Sequence, residues 1–446
     1  MAKPDSSRLV QPSARREAFS GLMISAMLVA SVVHGLAPAF PREIGVLAAW
    51  SAGFAVWNRL PMRARAQVGV MFGIGLACIA VAAARGGDVA WGITTGGSLP
   101  ILTVLAGVAF LRLVYPANAA AGTDTPASRG FGAYLRTMAG VHLFGAVINI
   151  SAVVVFAERL ARSAPLARRE VAMLGRSYSM VAFYSPFIGG VALALGMVPG
   201  VHFPGLVLAG VALACIGFLA LAIIGRFEEG QALSRFEGYP FRLESLWLPT
   251  ALVLLTAAAH WMWPSLSILL LVALIAPSLA AAVLLARNGI ASANRNLKRF
   301  VLTELSGRSG EFTLFLAAGV LGGGLTSLVS AYPMMVPDFT LNPVTATVAL
   351  ACIVVAAMAG VHPLVSVTTL IAVTSPASPD PTLLAAVCVM GWGIGSAGSP
   401  YSGINLVLAA RSGISNWSFP RWNALYCTVM VLAAGSVFAG YAALAR

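Results

Sequence analysis

The sequence predicts an all-α membrane protein, and three features indicate this class. Hydrophobic residues make up 59% of the 446 residues and charged residues only 10%, whereas soluble domains carry about 25% charged residues. The mean hydropathy is +0.87. Apolar runs of about 20 residues, the length that crosses a hydrocarbon core, recur along the chain. No stretch is polar enough to cover the surface of a soluble domain.

Eleven apolar runs are predicted to cross the membrane. They fall near 19–38, 44–60, 67–84, 92–115, 171–198, 203–224, 246–262, 264–286, 312–332, 382–410 and 421–444. Residues 1–18 are polar and basic and are predicted to form a cytoplasmic tail, followed by a leading transmembrane helix over 19–42. No cleavage signal of small residues follows this helix, so we expect it to be retained and not to act as a signal peptide.

Two further apolar stretches, 131–160 and 345–377, are interrupted near their middle by the sequences GVHLFG and GVHPL. A continuous helix of 30 residues would be about 45 Å long, which exceeds the hydrocarbon core. We therefore predict two re-entrant hairpins, each with two short arms that meet at a tip near the interruption.

The distribution of cations sets the expected orientation. The net charge is +13, and Lys and Arg lie between the apolar runs. Cytoplasmic loops of membrane proteins carry cations in this way. The positive charge is therefore explained without a nucleic-acid partner. If 131–160 crossed the membrane, the basic segment 158–170 would be external, against this bias. No Lys or Arg occurs between Arg308 and Arg411. The first hairpin is therefore predicted to enter from the cytoplasm and the second from outside.

Internal similarity predicts two repeats. The pentapeptide MAGVH occurs at Met138–His142 and at Met358–His362, and a Ser-Pro element follows each copy, at Ser185–Gly189 and Ser399–Gly403. We place the first repeat at 43–224, a cytoplasmic linker at 225–245 and the second repeat at 246–446. Each repeat has an odd number of crossings, so the two are predicted to be inverted.

The Ser-Pro elements are expected to break the helices over 171–198 and 382–410. Proline removes a backbone donor, and the glycines that follow permit an unwound segment. Inverted repeats place binding sites near the membrane midplane, at such discontinuous helices. The N–H groups at a broken helix suit an anion, and its carbonyls suit Na⁺.

The order of these elements resembles that of the ion transporter superfamily, which includes divalent anion/Na⁺ symporters and the large membrane subunit of TRAP transporters. The resemblance implies an elevator mechanism and a homodimer. Divalent anion symporters carry Ser-Asn-Thr at each hairpin tip, whereas this chain has Asn149-Ile150-Ser151 and Ser366-Val367-Thr368-Thr369. This departure leaves the substrate and the coupling ion open.

The candidate substrate-binding residues are the histidines and the hydroxyl and amide side chains of the hairpins and breaks. They are His142, Asn149, Ser151, Ser185, His362, Ser366, Thr368, Thr369, Ser399, Tyr401, Ser402 and Asn405. A candidate Na⁺ site lies near Asn149, Gly189, Thr369 and Gly403. Because histidine titrates near neutrality, proton coupling is the alternative to Na⁺.

These features predict a secondary active transporter, a symporter of a small organic anion such as a carboxylate, in a bacterial inner membrane. All Asp and Glu residues lie in loops or at span ends, which favours an anion over a cation. The alternatives are an exporter, a TRAP-type subunit that needs a binding protein, a channel and an intramembrane enzyme. The chain has no HExxH, GxSxG or paired intramembrane aspartates, so we predict a non-enzyme. Apart from Na⁺ no cofactor is expected, and the partners are the anion and membrane lipid.

The five cysteines lie inside apolar runs and form no CxxC pair. This spacing suggests neither a disulfide framework nor a zinc site.

Overall fold

The computed structural model describes residues 12–114, 128–162, 164–238, 246–333, 340–374, 377 and 379–444, which are mostly helical. The helices are α1 (Pro12–Leu36), α2 (Arg42–Ala55), α3 (Met62–Ala84), α4 (Trp91–Gly96), α5 (Leu99–Ala109), α6 (Phe131–Ile148), α7 (Ser151–Leu160), α8 (Arg168–Ser179), α9 (Gly189–Met197), α10 (Phe203–Glu229), α11 (Trp247–Met262), α12 (Ile268–Arg299), α13 (Ser309–Ala331), α14 (Pro343–Met358), α15 (Pro363–Thr374), α16 (Pro381–Gly398), α17 (Gly403–Ser412) and α18 (Ser418–Leu444).

Nine helical segments within the described residues are long and apolar enough to cross a membrane. The predicted class, an all-α multi-pass membrane protein, is confirmed. One of the nine is α6, the first arm of the first predicted hairpin, whereas α2 and α11 have only 14 and 16 residues. The predicted number of eleven crossings therefore remains a prediction.

Two predicted boundaries differ from the structure. Helix α1 begins at Pro12, inside the segment 1–18 that was predicted as a tail, and residues 1–11 lie outside the described part of the chain. Helix α10 extends to Glu229 and so includes the first residues of the predicted linker 225–245, of which 239–245 are not described.

The fold also contains a short antiparallel ribbon that the sequence did not predict. Strand β1 (Ser128–Arg129) pairs with β2 (Glu237–Gly238). An ion pair between Arg129 and Glu237, with 2.6 Å between its nitrogen and oxygen, joins the two strands. The ribbon connects the start of α6 to the segment that follows α10.

Several helices begin at a residue whose side chain caps them. Asn342 accepts hydrogen bonds from the backbone N–H groups of Val344 and Thr345 at the start of α14. Asp380 and Ser402 accept in the same way at the starts of α16 and α17. Proline follows Asn342 and Asp380 at the first helical position, where its missing N–H costs nothing.

The first predicted hairpin consists of α6 and α7, joined at Asn149–Ile150, where Asn149 has a φ of +58°. The prediction that its tip lies at GVHLFG is wrong, because this sequence continues α6. Gly145 in that sequence serves close packing: a Cβ atom there would lie 2.8 Å from the ring of Tyr178. Here glycine indicates a helix contact and not a turn.

The second predicted hairpin consists of α14 and α15, and its tip is at Ala359–His362. Gly360 has a φ of +101°, a conformation that glycine adopts without a Cβ penalty. The two MAGVH copies are therefore not equivalent in the fold. The first is part of a continuous helix, and the second forms a turn.

Two helices are interrupted at the predicted Ser-Pro elements. Helix α8 continues as a 3₁₀ turn over Met180–Phe183 and is followed, after five non-helical residues, by α9. Helix α16 ends at Gly398, and α17 begins at Gly403. We call 184–188 and 399–402 the first and second break.

Small residues bring the helices of the core into close contact. Helix α16 is buried along nearly its whole length among α8, α9, α14, α15 and α18. Helices α3 and α13 approach so closely that a Cβ atom on Gly75 would lie 2.6 Å from the carbonyl oxygen of Val320. Such small-residue contacts drive helix association where lipid removes the hydrophobic driving force.

We expect Gly75→Ala to destabilise the fold by about 1–3 kcal/mol, because the added methyl group overpacks against backbone that cannot rotate away. Thermal unfolding of the purified protein in detergent measures this effect. Gly73→Ala in the same helix is the matched control, since a Cβ atom there meets nothing within 4 Å. Equal melting temperatures of the two variants would contradict the close contact.

Candidate functional site

A cavity of about 140 Å³ lies where both predicted hairpin tips and both breaks meet. Asn149 and Ile150 come from the first tip, and His362 from the second. Gly189 and Gly403, the first residues of α9 and α17, also line the cavity. The chain brings these elements together from positions more than 200 residues apart in the sequence.

Asn149 holds the first tip in place. Its Oδ1 accepts hydrogen bonds from the backbone N–H of Ile150, at 2.7 Å, and from the hydroxyl of Tyr178 on α8. Its Nδ2 lies 3.5 Å from the carbonyl oxygen of Phe187 in the first break. Asn149 thus ties the tip of one element to the break of the next, while its amide edge faces the cavity.

His362 presents one ring nitrogen to the cavity. Its Nδ1 accepts the backbone N–H of Leu364 at 3.1 Å, so the proton of the neutral ring is on Nε2. No partner for Nε2 is found among the described residues, and the ring packs edge-on against Trp392, with 5.5 Å between centroids. His362 therefore provides a donor that the protein itself does not use.

His142 has a different environment, and the structure does not place it in the cavity. Its Nδ1 donates to the carbonyl oxygen of Ser177 at 3.0 Å, and its Nε2 accepts the hydroxyl of Tyr184 at 2.7 Å. The ring is buried against Phe218. The expectation that both histidines sit at hairpin tips is wrong for His142, whose two nitrogens are both engaged in the core.

The polar residues of the second break mainly stabilise that break. The two N–H groups of the Asn405 amide are shared among three carbonyl oxygens, those of Ser396, Ala397 and Ser399, which lie 2.7–3.0 Å from Nδ2. Ser402 lines the cavity and caps α17, while its hydroxyl donates to the carbonyl of Ser396 at 2.7 Å. The hydroxyl of Ser399 accepts the N–H of Tyr401.

Ser185 stabilises the first break. Its hydroxyl donates to the carbonyl oxygen of Ala146 on α6 at 2.6 Å. Ser185 is buried and does not line the cavity. In the structure Ser185 joins the first break to α6, and its role in substrate contact stays a prediction.

The remaining predicted site residues lie away from the cavity lining, which does not include Ser151, Ser366, Thr368, Thr369 or Tyr401. Thr368 is fully buried and packs near Gly322 of α13. Tyr401 covers Gly360 and Trp417 and lies under the guanidinium of Arg63.

The candidate Na⁺ set is only partly assembled. Asn149, Gly189 and Gly403 line one cavity, but Thr369 does not. Across the described residues, no group of three His, Cys, Asp or Glu side chains is placed to hold a metal ion.

The lining residues that the sequence reasoning missed include Tyr178, Glu311, Phe315, Trp392 and Ser396. Tyr178 and Ser396 lie within two helical turns before a Ser-Pro element, so a search upstream of each break would have found them. Glu311, in the first turn of α13, was counted as a span-end residue, and the structure places it at the mouth of the cavity, where its side chain is exposed. Phe315 and Trp392 belong to no motif or repeat that the sequence analysis identified.

A larger cavity of about 490 Å³ lies elsewhere, between α1, α5 and α12. Ser31, His34 and Arg42 are among the residues that line it. It contacts neither break nor hairpin tip. Position, and not volume, therefore selects the smaller cavity as the candidate site.

No protein-family model matches the chain, and no curated protein matches it at a significant level. The resemblance to the ion transporter superfamily rests on the order of the sequence elements alone. The functional argument below is accordingly built on the cavity and its contacts.

We expect Asn405→Ala to destabilise the protein by about 1–3 kcal/mol, because buried carbonyl groups lose their donors. Thermal or denaturant unfolding in detergent measures the loss. Asn288→Ala is the control, since Asn288 is exposed beyond the apolar part of α12. If Asn405→Ala melts like Asn288→Ala, the amide does not stabilise the second break.

Proposed function

We propose that the protein is a secondary active transporter of a small organic anion carrying a carboxylate, coupled to Na⁺ or H⁺. The observation that supports this most is the cavity bounded by both hairpin tips and by the first residues of α9 and α17. Discontinuous helices around one small central cavity are typical of carriers that bind a solute at the midplane.

The chemistry of the cavity supports a carboxylate as the bound group. The N-terminal ends of α9 and α17 carry positive partial charge, and the Nε2 of His362 adds a donor. None of the described lining residues is Lys or Arg, so binding relies on hydrogen bonds and dipoles. A solute held this way is released more easily than one paired with a buried cation, as a carrier requires.

The distribution of cations supports an orientation. If the positive-inside bias sets the topology, the first residues of α13 and the last of α17 are cytoplasmic. Glu311 and Gly403, both exposed lining residues, then place the mouth on the cytoplasmic side. We propose that this is an inward-open state and that the two hairpins enter from opposite faces.

In the proposed cycle the hairpins and broken helices move together against a scaffold, as in elevator carriers. Hydrogen bonds support such a common movement: Ser185 joins the first break to α6, and Tyr178 joins α8 to the first tip. An exporter would use the same cavity, and the direction of the driving gradient distinguishes export from import.

Uptake into proteoliposomes tests the proposal. Purified protein is reconstituted, a Na⁺ or proton gradient is imposed, and accumulation of radiolabelled carboxylates is measured. We expect gradient-dependent uptake of at least one carboxylate. Absence of uptake and of counterflow for every organic and inorganic anion in the panel would contradict a transport function.

His362→Ala is expected to weaken the apparent affinity for the transported carboxylate about tenfold or more, since a hydrogen bond to a charged group is lost. His202→Ala is the matched control, because His202 lies exposed between α9 and α10. His142→Ala is expected to lower the melting temperature instead. Wild-type uptake kinetics in His362→Ala would remove this residue from the site.

The proposed orientation predicts the side from which the cavity is reached. In a variant without native cysteines, Ser396→Cys should react with a membrane-impermeant maleimide in inside-out vesicles and not in intact cells. Ser265→Cys, exposed between α11 and α12, should show the reverse pattern. Labelling of both positions from the same side would contradict the inward-open assignment.

A further inference from the structure

One wall of the cavity is made of two nearly parallel aromatic rings. The planes of Phe315 and Trp392 differ by 7°, with 6.2 Å between their centroids. The ring of His362 stands almost perpendicular to Trp392, at 78°. We call Phe315 and Trp392 the aromatic wall. This wall gives the cavity an apolar aromatic side next to the donor of His362.

The aromatic wall is fixed in position by two glycines at the start of α9. A Cβ atom on Gly189 would lie 2.8 Å from Cζ of Phe315, and one on Gly190 would lie 2.5 Å from Cγ of Trp392. The backbone of α9 therefore packs directly on both rings. Neither ring has room to move toward α9, so the wall is a preformed surface.

Most hydrogen-bond donors around the cavity are already used within the protein. Tyr178 donates to Asn149, Ser179 donates to the carbonyl of Arg176, and Ser402 donates to the carbonyl of Ser396. What remains on the described side chains is the Nε2–H of His362, the indole N–H of Trp392, the hydroxyl of Ser396 and the amide edge of Asn149. A carboxylate can bind to these groups, whereas each further buried carboxylate would need donors of its own.

The volume sets the size of the ligand. An apolar cavity of about 150 Å³ holds a molecule of the size of benzene, and this cavity has about 140 Å³. A six-membered ring or a branched chain of similar size fills it, whereas a larger ligand such as a disaccharide does not fit.

We propose that the substrate is a small monocarboxylate with a planar apolar body, an inference that rests on the proposed transport function. Its carboxylate binds between His362 and Ser396, and its body packs against the aromatic wall. Di- and tricarboxylates are expected to bind more weakly, because a second buried carboxylate would lie against the aromatic wall with no Lys or Arg among the described lining residues to compensate its charge.

Equilibrium binding of radiolabelled benzoate to the full-length protein in detergent tests the substrate class separately from transport. We expect saturable binding that unlabelled benzoate displaces and that succinate or benzylamine at the same concentration leaves in place. Trp392→Leu, which keeps an apolar residue but removes the flat ring, should weaken binding about tenfold. Phe315→Leu provides a second variant if Trp392→Leu does not fold.

Trp261→Leu is the matched control, because Trp261 is 84% exposed at the end of α11 and does not line the cavity. It should bind benzoate like the unmodified protein. Absence of benzoate binding, displacement by succinate, or unchanged binding in both folded wall variants would overturn the inferred substrate class. Benzoate binding without uptake in proteoliposomes would instead overturn the transport function and leave the ligand class standing.

Discussion

The structure depends on how it satisfies the backbone groups that are freed where helices break inside an apolar environment. A buried carbonyl without a donor is costly, and lipid supplies none. At the second break Asn405 donates to three carbonyls, and Asn423 of α18 donates to that of Ala397 at 2.7 Å. Asn423 is itself held by the buried guanidinium of Arg176, also at 2.7 Å. The open end of α17 can persist at the cavity because these side chains stabilise the second break.

Buried hydrogen bonds also join elements that are distant in the sequence. Arg176 on α8 bonds α18, and Ser185 in the first break bonds α6. Separating these elements would leave buried polar groups unpaired, at a cost larger than that of sliding their apolar surfaces. Helices α6, α8, α16 and α18 are therefore joined by buried hydrogen bonds, whereas the close approach of α3 and α13 depends on glycine.

The two MAGVH copies and the two breaks have different surroundings in the structure. His142 and His362 occupy the same place in MAGVH, yet the first has both nitrogens bonded in the core and the second has Nε2 directed at the cavity. Helix α9, which follows the first break, contacts the aromatic wall through Gly189. The second break supplies Ser402, and α17 supplies Gly403. A site with one apolar side and one donor side arises from this asymmetry.

The sequence by itself determined the membrane class, the positions of both breaks and the tip of the second hairpin. These features follow from local chemistry, since apolar length, proline and glycine act on the backbone where they occur. It also identified Asn149, Gly189, His362, Ser402 and Gly403, which the structure gathers in one cavity. Only the tertiary structure placed the first tip at Asn149 and moved His142 into the core, because helix packing decides whether a glycine makes a turn or a contact. Only the tertiary structure brought Phe315, Trp392 and Glu311 together at the cavity. Phe315 and Trp392 lie in apolar helices and Glu311 at the end of a span, so no motif in the sequence links them to one site.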